Sequence, residues 1–143
     1  MQAPASQRPT GITILAILAA IAGVLGLLGG IAVIGLSSVI ASVYGGFYSL
    51  IGFGILIIAI GEIAFAVGAW TLKPWAWMLG VAVEIINIVL QILWITQGAG
   101  IGSVLISVIV ALAILYYLDT PTVRTAFGQS SKSIAAGMMN RPK

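Results

Sequence analysis

Two glutamates inside apolar sequence are the residues of this chain with the clearest capacity for chemistry. Glu62 lies 11 residues before Lys73, and Glu84 lies 11 residues after it. At a helical rise of about 1.5 Å per residue, each carboxyl would lie about 16 Å from a turn at Lys73. A hydrocarbon core is about 30 Å thick, so the spacing predicts two carboxyls near the middle of a membrane, at matched depth on adjacent antiparallel helices.

Two amide side chains form a polar stripe together with Glu84. Glu84, Asn87 and Gln91 follow a three-then-four spacing, which places them on one helix face. Inside a membrane such groups turn away from lipid, toward other helices or an internal cavity. A buried carboxylate is unfavourable, and a second carboxylate beside it increases the penalty. We therefore expect at least one of Glu62 and Glu84 to be protonated at neutral pH and to donate a hydrogen bond within this group.

The candidate intramembrane polar site formed by Glu62, Glu84, Asn87 and Gln91 fits more than one role. Hydrogen bonds between helices would each contribute about 0.5–2 kcal/mol to the fold. A proton or cation site would use the same carboxyls, because an acid within the membrane marks a functional position by default. Coordination of a pigment or a metal, and contact with a partner subunit, are two further roles that the sequence leaves open.

Absent residue types narrow the chemistry. The chain contains no cysteine and no histidine, which removes disulfides, thiolate catalysis and the commonest general base. Ser103 and Ser107 have no base near them in the sequence, and the two glutamates lack the motifs of intramembrane proteases. We therefore expect no catalytic residue, no metal site and no bound cofactor, and a protein that is not an enzyme.

The composition predicts an integral membrane protein. Of the 143 residues, 61% are hydrophobic and 6% are charged, whereas an ordinary soluble domain is about 25% charged. Four apolar runs have about the 20 residues that a spanning helix needs, over 11–36, 50–72, 75–96 and 101–118. The first run is too long for the core of a cleavable signal peptide, so we expect it to be retained.

The charged side chains predict the orientation. If the four runs span the membrane, all six cations fall on one side, and the connections 37–49 and 97–100 carry no charge. Because Lys and Arg in short loops favour the cytoplasm, both termini are predicted to be cytoplasmic, in a multi-pass protein of the cell membrane. The side chains expected to act as interfacial anchors near the span ends are Trp70, Lys73, Trp75, Trp77, Trp94, Tyr116 and Tyr117.

The segment after the last run has a different character. A short helix near 121–127 would place Val123 and Phe127 on one face with Arg124 beside them, a pattern typical of a helix lying on the membrane surface. The predicted fold is therefore all-α, an integral membrane four-helix bundle with a short polar segment before it and a cytoplasmic tail after it. These three parts cover 1–10, 11–118 and 119–143.

The chain resembles a broad group of small four-span integral membrane proteins of prokaryotes whose function is unassigned. The likeness lies in RPTGITILAIL at 8–18, WTLKPWAW at 70–77 and ILYYLDTPTVRTAFG at 114–128, which frame the spans. It implies a membrane bundle and transfers no activity and no site residue. Small multidrug transporters also combine four short spans with a membrane-embedded glutamate. Their essential glutamate is in the first span, and the first span here contains no acid.

These features lead to two functional expectations. The first is a non-enzymatic membrane protein, either an accessory subunit of a membrane complex or a self-assembling scaffold, because short loops leave little surface for chemistry and Gly- and Ala-rich faces suit helix partners. The alternative is a small oligomeric proton-coupled transporter that uses Glu62 and Glu84. The expected partners are the lipid bilayer and either other membrane subunits or copies of this chain. Nucleic acid is not expected, because the cations form no basic stripe.

Overall fold

The computed structural model describes residues 8–39, 45–96 and 100–130, and the regular structure within them is entirely helical. The helices in chain order are α1 (Thr10–Val39), α2 (Gly45–Trp70), α3 (Pro74–Thr96), α4 (Ile101–Leu118) and α5 (Pro121–Ala126). Within these residues, α1 to α4 are long and apolar enough to cross a membrane. The all-α prediction with four potential spans is confirmed to this extent, and the chain is indicated to be a multi-pass membrane protein.

The second helix begins earlier than hydropathy predicts, at Gly45 instead of residue 50. The Ser49 hydroxyl donates a hydrogen bond to the Gly45 carbonyl oxygen at 3.1 Å. Its oxygen also lies 2.8 Å from that of Ser37 near the end of α1. Serine hydroxyls that bond to the backbone of their own helix let a polar segment remain helical. Parts of the predicted connections and termini lie outside the described residues, namely 1–7, 40–44, 97–99 and 131–143.

Helices α1 and α2 approach each other closely through glycine. A Cβ atom on Gly23 would lie 2.9 Å from the carbonyl oxygen of Ala59 and 2.6 Å from Cγ1 of Ile63. A Cβ atom on Gly30 would lie 3.0 Å from the carbonyl oxygen of Gly52. Small residues are what allow helix backbones to come this close in a membrane, where dispersion between packed surfaces replaces the hydrophobic effect. The pair α1–α2 is therefore the most tightly joined part of the fold.

Apolar side chains close the end of the molecule where α1 starts and α4 finishes. They form what we call the terminal cluster: Ile12, Ala16, Phe65, Ala69, Ala76, Trp77, Leu118, Val123 and Phe127. The largest fully buried side chains among the described residues, Phe127, Ile12, Leu118 and Val123, all belong to it. All five helices contribute, so the cluster joins four helix ends and α5 at one end of the molecule.

A tight left-handed turn leads from α2 into α3. Leu72 has a φ of 52°. The Lys73 N–H donates to the Gly68 carbonyl at 2.8 Å and the Leu72 N–H donates to the Ala69 carbonyl at 3.2 Å. This is a Schellman motif. The left-handed conformation costs a leucine about 1–2 kcal/mol, and packing of its side chain against the terminal cluster offsets that cost. The turn makes α2 and α3 antiparallel neighbours.

The α5 side chains expected on the membrane surface lie inside the protein instead. Val123 and Phe127 do share a face, as their spacing predicts, but that face packs into the terminal cluster. Arg124 is also buried. Its Nη1 lies 2.8 Å from Oδ1 of Asp119, and its guanidinium lies 4.6 Å from the centroid of the Trp77 ring. The apolar face finds an apolar site between helix ends, and the carboxylate and ring compensate the buried charge.

The predicted interfacial anchors divide by burial. Exposed positions suited to a membrane interface are held by Trp70, Lys73, Trp75 and Tyr116. Trp77 is buried and donates its indole N–H to the Leu118 carbonyl at 2.8 Å, so it acts inside the fold and not at an interface. Tyr117 is partly buried, and its hydroxyl fills the space beside Gly11. The side chain of Trp94 lies outside the described residues.

Candidate intramembrane polar site

The four polar residues singled out in the sequence line one cavity. It has a volume of about 440 Å³ and lies between α1, α2, α3 and α4. Glu62 enters it from α2, while Glu84, Asn87 and Gln91 enter it from successive turns of α3. Equal distance from the turn at Lys73 puts Glu62 and Glu84 at the same level of two antiparallel helices. The structure thus brings together every member of the predicted site.

Asn87 connects the two helices that carry the glutamates. Its side chain hydrogen-bonds to the Glu62 carboxyl, and Glu62 and Glu84 are close enough to interact electrostatically. An amide offers both a donor and an acceptor, so Asn87 can bond to Glu62 whether or not the carboxyl carries a proton. The pair can therefore change its charge without losing this contact.

A second, smaller space lies on the other side of the same residues. It has a volume of about 240 Å³, and Glu62, Asn87 and Gln91 line both it and the larger cavity. Helix α1 contributes Ala22 and Gly26 to its wall, and no residue of α4 lines it within the described part of the chain. Glu62, Asn87 and Gln91 therefore form a polar partition that can be approached from two directions.

The carboxyls have no positively charged neighbour among the described residues that line the two cavities. Arg8 donates from Nη1 to the Trp70 carbonyl at 2.6 Å, and its guanidinium lies 4.1 Å from the centroid of the Trp70 ring. Arg124 is paired with Asp119. Lys73 is exposed at the turn between α2 and α3. In a low-dielectric environment, two adjacent carboxyls without a cation favour the uptake of a proton or an external cation.

The terminal cluster closes the larger cavity at one end. Phe65 and Leu118 both line the cavity and belong to the cluster. Gly80 allows α3 to approach the aromatic ring, since a Cβ atom there would lie 2.5 Å from Cε2 of Phe65. The conformation described here therefore has the polar site shut off from the end of the molecule that carries α5.

The larger cavity is open sideways, between α1 and α4. Leu18, Ile106 and Val110 line it and are nevertheless 55%, 66% and 52% exposed. The two helices meet beside the terminal cluster, where Gly11 faces Tyr117. Beyond that point the extensively packed neighbours are α1–α2, α2–α3 and α3–α4. An opening flanked by exposed apolar side chains faces the hydrocarbon when these helices span a membrane.

No protein-family model, curated protein or solved structure matches this chain. The resemblance to small four-span membrane proteins stays a prediction. The residues of the site and their geometry carry the functional argument.

The donor set of the site favours hard cations. Among the described residues, no group of three or more His, Cys, Asp or Glu side chains could hold a metal ion. Carboxyl and amide oxygens are hard ligands, which suit protons, ammonium groups and hard metal ions better than soft transition metals. The arrangement can therefore bind and release a proton or a single positive charge, with hydrogen-bonding amides beside it.

The sequence did not identify the apolar walls of the site. Phe65 follows Glu62 by three residues and so shares its helix face, a signal that could have placed it beside the carboxyl. The sequence sets Ser107 aside as a serine with no base near it, and the structure places it in the lining of the cavity, opposite the polar stripe. Its hydroxyl donates to the Ser103 carbonyl at 3.1 Å, so its own hydrogen bond lies within α4.

Proposed function

We propose that this protein is a small proton-coupled transporter of the cell membrane, in which Glu62 and Glu84 form one site for a proton or a cation. One observation carries the proposal: both carboxyls line a single cavity of about 440 Å³ between four apolar helices. Two ionised carboxylates held together in low dielectric are unfavourable, and either a proton or a cation relieves the repulsion. Binding of one species therefore opposes binding of the other, and this opposition couples their movements.

The closed terminal cluster provides the second half of a transport cycle. With Phe65, Leu118 and Phe127 packed together, the pair exchanges its proton or cation only through the sides of the cavity that are open. An arriving cation displaces a proton from the pair, and the proton leaves to water through the smaller space lined by Glu62, Asn87 and Gln91. Separation of the cluster would then expose the pair to the opposite side. Asn87 keeps the Glu62 carboxyl in place in both states.

Neutral substitution of either glutamate is expected to abolish coupled transport while leaving folding nearly intact. Glu62→Gln and Glu84→Gln retain the size of the side chain and its ability to bond to Asn87, but they cannot take up a proton. The measurement is proton movement in proteoliposomes with a luminal pH indicator, driven by a pH gradient and by added monovalent inorganic and organic cations. Infrared difference spectra between alkaline and acidic pH give a second readout, namely proton uptake by the carboxyls themselves.

Lys73→Gln is the matched control, because it also removes one charge but lies exposed at a turn outside both cavities. Its proton movement and its infrared spectrum should equal those of the wild type. Proton movement and carboxyl protonation that remain unchanged in both glutamine variants would contradict the proposal.

The orientation is part of the same proposal, with both termini and the turn at Lys73 in the cytoplasm. Lysine and arginine near short loops support it. The chain has no cysteine, so single cysteines can report on each end of the helices. In intact cells, a membrane-impermeant maleimide should label Gly46→Cys, an exposed position with open space around it, and should not label Lys73→Cys. The reverse pattern would invert the topology.

A non-enzymatic accessory subunit or self-assembling scaffold is the second candidate. It is supported by glycines on the outer surface, since Gly29, Gly54 and Gly102 have nothing within 4 Å of the position of a Cβ atom, and small residues allow a partner helix to approach. On this alternative the glutamine variants would change only stability or assembly. The mass and composition of the particle extracted gently from its own membrane separate the two, because foreign polypeptides favour the accessory subunit.

A further inference from the structure

We infer that the larger cavity binds a lipophilic organic cation, which enters from the hydrocarbon through the opening between α1 and α4 and places its charge at Glu62 and Glu84. This inference names the substrate class of the site described above and rests on the proposed function. It stands on the lining of the cavity, on its size and on the position of its opening.

The lining of the cavity is complementary to a ligand that is apolar over most of its surface and positively charged at one point. The described side chains from α1 and α4, among them Leu15, Leu18 and Val110, contribute no titratable group to the cavity. Only Glu62 on α2 and Glu84 on α3 do so. An inorganic cation would satisfy the carboxyls but leave the apolar walls unfilled, whereas a neutral apolar molecule would leave the carboxyl pair without compensation. An organic cation fits both parts.

The volume agrees with a ligand of this kind. Cavities of about 300–1,000 Å³ typically hold small organic molecules, and this one has about 440 Å³. A proton or a bare monovalent ion needs only a small fraction of that space. Leu15, Ala19 and Ile114 also line the cavity, and all three pack against the terminal cluster.

The position of the opening determines the route by which a ligand enters the cavity. Leu18 on α1 faces Val110 and Ile106 on α4 across it, and all three are more than half exposed. A strongly hydrated solute cannot approach through such a flank when it is covered by lipid tails, but a molecule that already partitions into lipid can. The closed terminal cluster blocks the other route, from the end that carries α5.

The test uses two probes of equal shape and opposite charge, tetraphenylphosphonium and tetraphenylborate. Full-length protein in lipid nanodiscs is compared with empty nanodiscs, which corrects for partition into lipid. Tetraphenylphosphonium should bind saturably with one site per chain, and tetraphenylborate should show no saturable binding. The double variant Glu62→Gln with Glu84→Gln should weaken binding of the cation by about tenfold or more. Acidic pH should weaken it in the wild type and leave the double variant unaffected.

The route is tested by narrowing the opening. Leu18→Trp together with Val110→Trp adds bulk on both of its edges and should slow association of tetraphenylphosphonium. The matched control, Leu25→Trp together with Ile109→Trp, adds the same bulk at exposed positions on the same helices that do not line either cavity. Association should then remain as fast as in the wild type. Equal rates in the two double variants would overturn the lateral route.

The outcomes separate this inference from the function on which it rests. Proton uptake that depends on the glutamates, without saturable binding of tetraphenylphosphonium, would overturn the lipophilic ligand and leave the proton site standing. Binding of the cation that survives both glutamine substitutions would also overturn it. If the particle contains two copies and Leu18→Trp separates them, the opening is a contact between chains, and the inference falls.

Discussion

Replacing Phe127 with alanine is expected to remove about 3–5 kcal/mol from the free energy of unfolding, the usual cost of deleting a fully buried aromatic ring. Phe127 is 0% exposed and belongs to the terminal cluster, in which all five helices meet. The vacated volume lies between helix ends that are fixed by other contacts, including the hydrogen bond from Trp77 to the Leu118 carbonyl. The space therefore cannot easily collapse. Unfolding in mixed micelles, followed by the fluorescence of Trp77 and its neighbours, measures the loss.

Phe53→Ala is the control for this prediction. Phe53 is 55% exposed on α2, so most of its ring contacts lipid. Truncation to alanine removes these contacts and leaves no cavity inside the protein. The loss should be below about 1 kcal/mol, because apolar side chains gain little by leaving lipid tails for each other. Similar losses in the two variants would mean that Phe127 is not held inside the protein.

Replacing Gly23 with leucine is expected to destabilise the chain by about 1–3 kcal/mol, or more if the helices must separate. A Cβ atom at this position would lie 2.9 Å from the carbonyl oxygen of Ala59. That atom belongs to the backbone of α2, which cannot rotate away as a side chain can. The expected result is a lower midpoint of unfolding, and a wider separation of α1 and α2 measurable between spin labels at their far ends.

The same substitution at Gly29 serves as its control. Gly29 lies on the same helix, with nothing within 4 Å of the position of a Cβ atom. The helix propensity of leucine is more favourable than that of glycine by up to about 1 kcal/mol. Gly29→Leu should therefore be neutral or slightly stabilising. A stability loss at Gly29 equal to that at Gly23 would show that helix propensity or insertion, and not the α1–α2 contact, sets the effect.

Hydropathy predicts the long helices because a backbone in lipid must satisfy its own hydrogen bonds. The fourth run was expected over 101–118, and α4 covers the same residues. The start of α2 was missed because glycine and serine before residue 50 are typical of loops, while Ser49 in fact bonds within the helix. The sequence does not show whether Phe127 is covered by lipid or by protein. Both environments are apolar, so a hydropathy pattern does not distinguish them.

The candidate site was predictable where simple geometry controls it. A tight turn at Lys73 forces antiparallel register, so equal spacing is enough to bring Glu62 and Glu84 to one level. The cavity itself was not predictable. It opens between α1 and α4, and α1 is held against α2 by close contacts at Gly23 and Gly30. In the sequence, such contacts are marked only by glycine and alanine. These residues occur throughout this chain, so they do not identify the positions of close contact.

The two helices beside the lateral opening differ greatly in length. Helix α1 has 30 residues and α4 has 18, which corresponds to about 45 Å and about 27 Å, against a hydrocarbon thickness of about 30 Å. When both helices span a membrane, α1 must tilt or the bilayer must thicken around it, while the bilayer next to α4 must thin. The two edges of the opening thus place opposite demands on the thickness of the bilayer beside them. Bilayer thickness becomes a variable that acts on the width of the opening.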